Sequence, residues 1–220
     1  MPYEARTRLK APRSDEVLAM LEDEIVDGRL PPGQRISETE VAARLGVGRA
    51  PVREAFRTLE SRRLLQRVPY AGMRVVALAE KDVRELLALR SALEGLAARE
   101  AAAGITDEGA EILRSALSTE EQLAEEGVGA VFRRGSGDNG FHETIVRLAD
   151  NAWLESMLLT DLYSLLRTFR FRAAQGGGRL SKAHREHCAI AEAIISGDAR
   201  DAEELMRNHI EASLKNLIAN

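Results

Sequence analysis

One cysteine, Cys188, stands in 220 residues. No internal disulfide can form, and a lone thiol with no second thiol nearby reads as a small packed side chain. No run approaches the roughly 18 uninterrupted apolar residues that a membrane-spanning helix needs, which excludes insertion. No cationic stretch followed by an apolar run opens the chain as a secretory signal would, so the expectation is a cytoplasmic protein. Aromatic residues make up only 4 %. That scarcity leaves no stacking platform for single-stranded nucleic acid. Histidine is scarce too, with four residues, which makes their positions worth following.

What is present is enough apolar material, 45 % of the chain, to bury a sizeable core in one or two domains. The charge is uneven. Residues 1–78 hold 14 Lys or Arg against 11 Asp or Glu, whereas residues 79–220 hold 17 against 24. Within 44–74 stand eight arginines against Glu54 and Glu60 alone. A solvated helix face normally mixes signs for i, i+4 pairing, so this bias points to a polyanionic partner.

The spacing predicts three short helices followed by a hairpin at the amino-terminal end. Val17, Leu18, Leu21 and Ile25 recur at helical intervals until Gly28 and "LPPG" stop the run. In "ISETEV", Ser37 is placed as a cap with Glu40 three residues on, and Ile36 and Val41 are spaced as a staple. Gly46 suits the left-handed residue past a helix end, and Pro51 the first position of the next helix. There Val52, Ala55, Phe56 and Leu59 mark a buried face, and Arg49, Arg53 and Arg57 repeat every four residues outside it. "LLQRVPYAGMRVVAL" reads as two short strands around a tip. Together these spell a winged helix-turn-helix over residues 1–78, whose third helix would enter the major groove of duplex DNA.

From residue 79 to 220 no strand pattern appears. Six helices are expected at about 80–103, 107–126, 136–150, 153–173, 180–196 and 199–218, with "QGGG" at 175–178 as a flexible joint. The fold class is therefore mainly α: a winged helix-turn-helix followed by an all-α six-helix bundle. In "DNGFHETIVRL", Asp138 and His142 lie four apart on one helix face that continues into Ile145. His187 precedes Ile190, Ala191 and Ile194, and His209 shares a stripe with Ala202, Leu205 and Met206. Three imidazoles and a carboxylate thus point into one core, a donor set that suits zinc, nickel or manganese. His184, one turn from His187, reads as surface or outer-layer.

These residues also carry a resemblance. "LPPGQRISETEVAARLGVGRAPVREAFRTLE" resembles the DNA-binding domain of GntR-family transcription regulators. The resemblance implies that Arg35, Arg49 and Arg53 contact operator DNA and that Gly72 shapes the wing tip. Two positions depart from the family pattern: Gly48 replaces the usual Ser and Ala50 the usual Thr, the latter expected to remove a helix cap worth about 1 kcal/mol. "RSALEGLAAREAA", "DNGFHETIVRLADNAWL" and "EHCAIAEAIISGDARDAEELMRNHI" are similar to the ligand-binding domain of the FadR subfamily in its shorter, VanR-like version. This implies a divalent metal, zinc or nickel first, held by Asp138, His142, His187 and His209. It further implies a small carboxylate effector reached by Arg90, which could equally form an exposed pair with Glu94.

The expectation is a non-enzymatic, homodimeric regulator, a repressor first, that binds palindromic double-stranded operator DNA and answers to an organic acid. A metal-dependent hydrolase with a DNA-binding tether is the competing reading, weakened by the absence of an H-E-x-x-H pattern or an evident general base. A third treats the bundle as a dimerisation unit with structural histidines.

Overall fold

The computed structural model describes residues 13–126, 140–162, 164–168 and 179–219. Asp138 and the joint at 175–178 lie outside them. The chain starts with helix α1 (Ser14–Val26), in which Glu16 accepts the Arg13 N–H at 3.0 Å and buried Val17, Leu18, Leu21 and Ile25 form one stripe. Helix α2 (Glu38–Leu45) is capped by Ser37, which accepts the Glu40 N–H at 3.2 Å, and closed by Gly46 at φ 65°. That left-handed conformation favours glycine, and it turns the chain directly into α3.

Helix α3 (Arg49–Ser61) buries Val52, Ala55, Phe56 and Leu59 against α1 and α2. Its start corrects the expectation about Pro51 and Ala50. The capping residue is Gly48, so Ala50 and Pro51 occupy the second and third helical positions. Pro51 is still tolerated, because first-turn N–H groups have no partner within the helix. The missing side-chain cap is therefore traced to Gly48 in place of Ser, and a glycine there weakens a helix by only a few tenths of a kcal/mol.

The wing carries one strand more than expected. Strands β2 (Leu65–Val68) and β3 (Gly72–Val75) form the hairpin, and β1 (Arg35–Ile36) pairs antiparallel on the other edge of β3, Arg35 opposite Arg74 and Ile36 opposite Met73. Two residues are too few to show an alternation in the sequence.

The helical part contains α4 (Glu80–Ala103), α5 (Asp107–Glu126), α6 (Phe141–Leu148), a short α7 (Ala152–Glu155), α8 (Arg179–Ile195) and α9 (Ala199–Ala219). The long α4 packs along α9 and also meets α6 and α8. At Gly95 a Cβ would stand 3.0 Å from Cγ of Arg207, so the absent side chain lets α4 and α9 approach closely. The helix expected over 153–173 is interrupted. After α7 the backbone widens into a π-helical turn at Ser156–Asp161, where the Leu162 N–H reaches the Met157 carbonyl at 3.1 Å. Helical structure resumes at 164–168. Buried Leu154, Leu158, Leu162 and Leu166 recur every four residues, so the apolar spacing reads as one continuous helix. No helix among the described residues is long and apolar enough to cross a membrane.

Leu59 is fully buried between the helices of the head. Leu59→Ala is expected to lower stability by about 2–5 kcal/mol in chemical denaturation monitored by circular dichroism.

Candidate metal centre and nucleic-acid interface

Three helices each deliver one histidine to the same point: His142 from α6, His187 from α8 and His209 from α9. All three are buried, and one ring nitrogen or another of each lies within 4.8 Å of the others. His187 and His209 approach most closely, Nε2 to Nε2 at 3.2 Å. Phe141 stacks on the His187 ring at 4.2 Å between centroids and closes that side with an apolar surface.

The opposite nitrogens are all engaged by carboxylates. His142 Nδ1 meets Glu94 at 2.6 Å, His187 Nδ1 meets Glu120 at 2.8 Å and His209 Nδ1 meets Glu186 at 2.7 Å. An ionised carboxylate only accepts, so each Nδ1 carries a proton, and in a neutral ring Nε2 is then the acceptor. Two such acceptors at 3.2 Å repel unless a metal ion, or a second proton on one ring, lies between them. Nitrogens each about 2.0–2.1 Å from one tetrahedral zinc would stand ~3.3 Å apart, close to the separation found here. The residues present therefore fit a divalent metal, with the carboxylates fixing ring orientation and basicity. Sequence reasoning brought the three histidines together but missed Glu94, Glu120 and Glu186. They come from three different helices, and nothing in local spacing links them to their partners.

Arg90 is fully buried on α4 and donates to Glu94 through Nε at 2.7 Å. Its Nη2 stands 3.4 Å from both ring nitrogens of His142. The pair with Glu94 foreseen as exposed is thus a buried one at the wall of the centre. Burial works against ionisation of Glu94, but Arg90 and His142 outweigh it and hold the carboxyl well below the usual range. Burial pushes His142 well below its ordinary value and His209 down to about 4. Neutral imidazoles are the form that ligates a metal. His184 stands 3.5 Å from Glu120, outside the cluster, and Cys188 is exposed rather than packed.

In the head, the eight arginines of 44–74 separate into two groups. Arg44 donates to both oxygens of Glu24, Arg62 to Glu22, and Arg74 to the Gly33 carbonyl. These three serve the head's own structure. Arg49, Arg53, Arg57, Arg63 and Arg67 are exposed, as is Arg35 on β1. Arg49 and Arg53 open the outer face of α3, while Arg35 lies beside Gly72, whose φ of 80° turns the wing into β3. Tyr70, at φ 62°, stands fully in solvent at the wing tip.

The family described as "Bacterial regulatory proteins, gntR family" matches residues 13–75, and "FCD domain" matches residues 85–212. The chain is 38 % identical to the "Probable D-xylose utilization operon transcriptional repressor" of Paenarthrobacter nicotinovorans, over 87 % of this chain and 82 % of that protein. It is 27 % identical to the HTH-type transcriptional repressor RspR of Escherichia coli strain K12, over 96 % of this chain and 91 % of that one. Among solved structures, E. coli McbR/YncC shares the fold with a TM-score of 0.75 at 20 % identity, covering 94 % and 97 % of the two chains.

The depressed His209 value predicts how metal-free protein responds to acid. Between pH 6.5 and about 4 the unfolded chain binds a proton that folded His209 refuses, so stability present at neutral pH is lost as pH falls through that window. The loss from this group is on the order of 3 kcal/mol. Urea denaturation at pH 7.5 and 4.5 with a chelator present measures it, and His209→Gln should flatten the dependence.

Proposed function

Because this chain belongs to the gntR family of bacterial regulatory proteins and carries an FCD domain, we propose that its helical domain senses a small organic acid at a divalent metal and thereby controls operator binding by the head. The chain is a transcription regulator and not an enzyme, in keeping with the two transcriptional repressors it resembles. The observation carrying the sensor reading is the convergence of three buried histidines, His187 and His209 with Nε2 facing Nε2, and every Nδ1 tied to a carboxylate. His142, His187 and His209 would hold the ion, zinc or nickel first, with Asp138 as the fourth ligand. A bound cation supplies a Lewis-acidic centre at which a carboxylate can bind. Arg90 adds positive charge at the wall beside His142, although its guanidinium is already shared with Glu94.

On the head, Arg49 and Arg53 would reach bases from the start of α3, with Arg35 and the Gly72 turn on the adjoining wing. A cytoplasmic homodimer presenting two heads would read a palindrome. Repression is the favoured sense, since both relatives named above are repressors.

Metal analysis by mass spectrometry on purified wild type and His187→Ala, paired with thermal-shift screening of small carboxylic acids, tests the sensor. Stoichiometric metal lost in the variant, with an acid raising Tm only in metal-loaded protein, is the expected result. Metal-free protein that no acid stabilises would reduce the histidines to packing residues. For the head, Arg53→Ala should weaken binding to an operator selected from random duplexes by about 1–3 kcal/mol and relax its sequence preference, read from titrations at fixed salt.

A further inference from the structure

Helix α1 carries two adjacent acids, Glu22 and Asp23, and both bind outside the head. Glu22 is only 1 % exposed, a degree of burial that carboxylates reach only when paired. It accepts from Arg62 at the end of α3 and, at 3.0 Å, from the Ser164 hydroxyl of the helical domain. Asp23 accepts from Arg167 at 3.0 Å, and Arg167 is itself 3 % exposed. Ser164 and Arg167 are three residues apart, on one face of the helical stretch 164–168. Two neighbouring acids on the head therefore grip two neighbouring donors on the sensor, with Glu22 and Arg167 withdrawn from water and Asp23 half-buried.

The gripping segment is also a wall of the histidine site. Leu158 and Leu159 in the π-helical turn, together with Leu166, face Glu94, His142, Glu143 and Val146 across a cavity of about 10 Å³. That is room for about one water, so a group lodged against His142 on this side must displace the wall. Leu166 lies between Ser164 and Arg167 in the chain, and a shift of the wall is a shift of the latch.

We propose that Glu22 and Asp23 with Ser164 and Arg167 form a polar latch that docks the DNA-reading head on the sensor, making Ser164 and Arg167 positioning residues for operator binding. The latch fixes the orientation of α3 through Arg62, which shares its Glu22 oxygen with Ser164. Its restraint on the head rests on the family assignment and on these contacts, so it stands whether or not the histidines hold metal.

The test uses the full chain with Cys188→Ser and spin labels at Tyr70→Cys on the wing and Ile112→Cys on α5, both exposed positions. Labelled chains are diluted with unlabelled ones so that the distances measured by pulsed electron resonance lie within one chain. The parent should give one narrow distance. Asp23→Asn, Arg167→Gln and Ser164→Ala should each broaden it, and the Asp23→Asn/Arg167→Gln double variant should broaden it no further than either single change. Affinity for the selected operator should shift about fivefold or more in the same variants. Unchanged distance distributions in all three variants, fully additive effects in the double variant, or a freed head with unaltered operator affinity would each overturn the latch. Ser164→Ala keeps the buried arginine paired, so the test survives if Arg167→Gln fails to fold. Metal content measured on the same samples reports on the sensor reading separately.

Discussion

A carboxylate withdrawn from water must be paired, and the helical domain is arranged around one that is. Glu94 sits in the middle of α4 and takes both Arg90 from its own helix and His142 from α6. Removing Arg90 would leave a buried charge uncompensated, a loss of several kcal/mol against the small net stability of a domain, and removing His142 would cost that carboxylate its shortest hydrogen bond. The register of α6 on α4 is therefore set by charge as well as by apolar packing. Once His142 is fixed, α8 and α9 must bring His187 and His209 against it, and each arrives with a carboxylate of its own on the outer nitrogen. Gly95, next in the chain after Glu94, lets α9 come near enough to deliver His209.

Much of this is legible in the sequence. Elements with strong local punctuation were readable to within a residue or two: α2 with its serine cap and Gly46, α4 and α5 between their breaks, α8 and α9 on either side of "SGDAR". The convergence of His142, His187 and His209 was readable because each continues an apolar stripe that has to face inward. The carboxylates behind them were not, since Glu120 and Glu186 look like ordinary members of charged helix faces. The same holds for the π-helical turn, because Leu154, Leu158, Leu162 and Leu166 fall every four residues as they would in an unbroken helix, and for β1, whose two residues exist as a strand only because β3 runs beside them.

The arginines teach the complementary lesson. A count of eight against two acids identified the head as a binder of polyanions, and the count included three that are tied up internally. Arg44, Arg62 and Arg74 bind Glu24, Glu22 and a backbone carbonyl, and two of those acceptors lie on α1, outside the window in which the charge was counted. Composition measures charge along the chain, whereas a groove reads charge on a surface. Of the five exposed arginines that remain in that window, Arg49, Arg53 and Arg57 lie on α3, Arg63 in the turn that follows it and Arg67 on β2.

Coupling between a buried site and a distant reading helix needs an element that both can bias. Rigid helices packed on both faces make poor candidates, since close-packed interiors do not deform gradually. The stretch from Ser156 to Arg167 is different: its hydrogen-bond ladder changes pitch at Leu162, its apolar side chains press on His142, and its polar ones hold α1. Leu166 faces His142 from between the two donors that hold α1, so a displacement of that wall is carried to Ser164 and Arg167 along the same short stretch of helix.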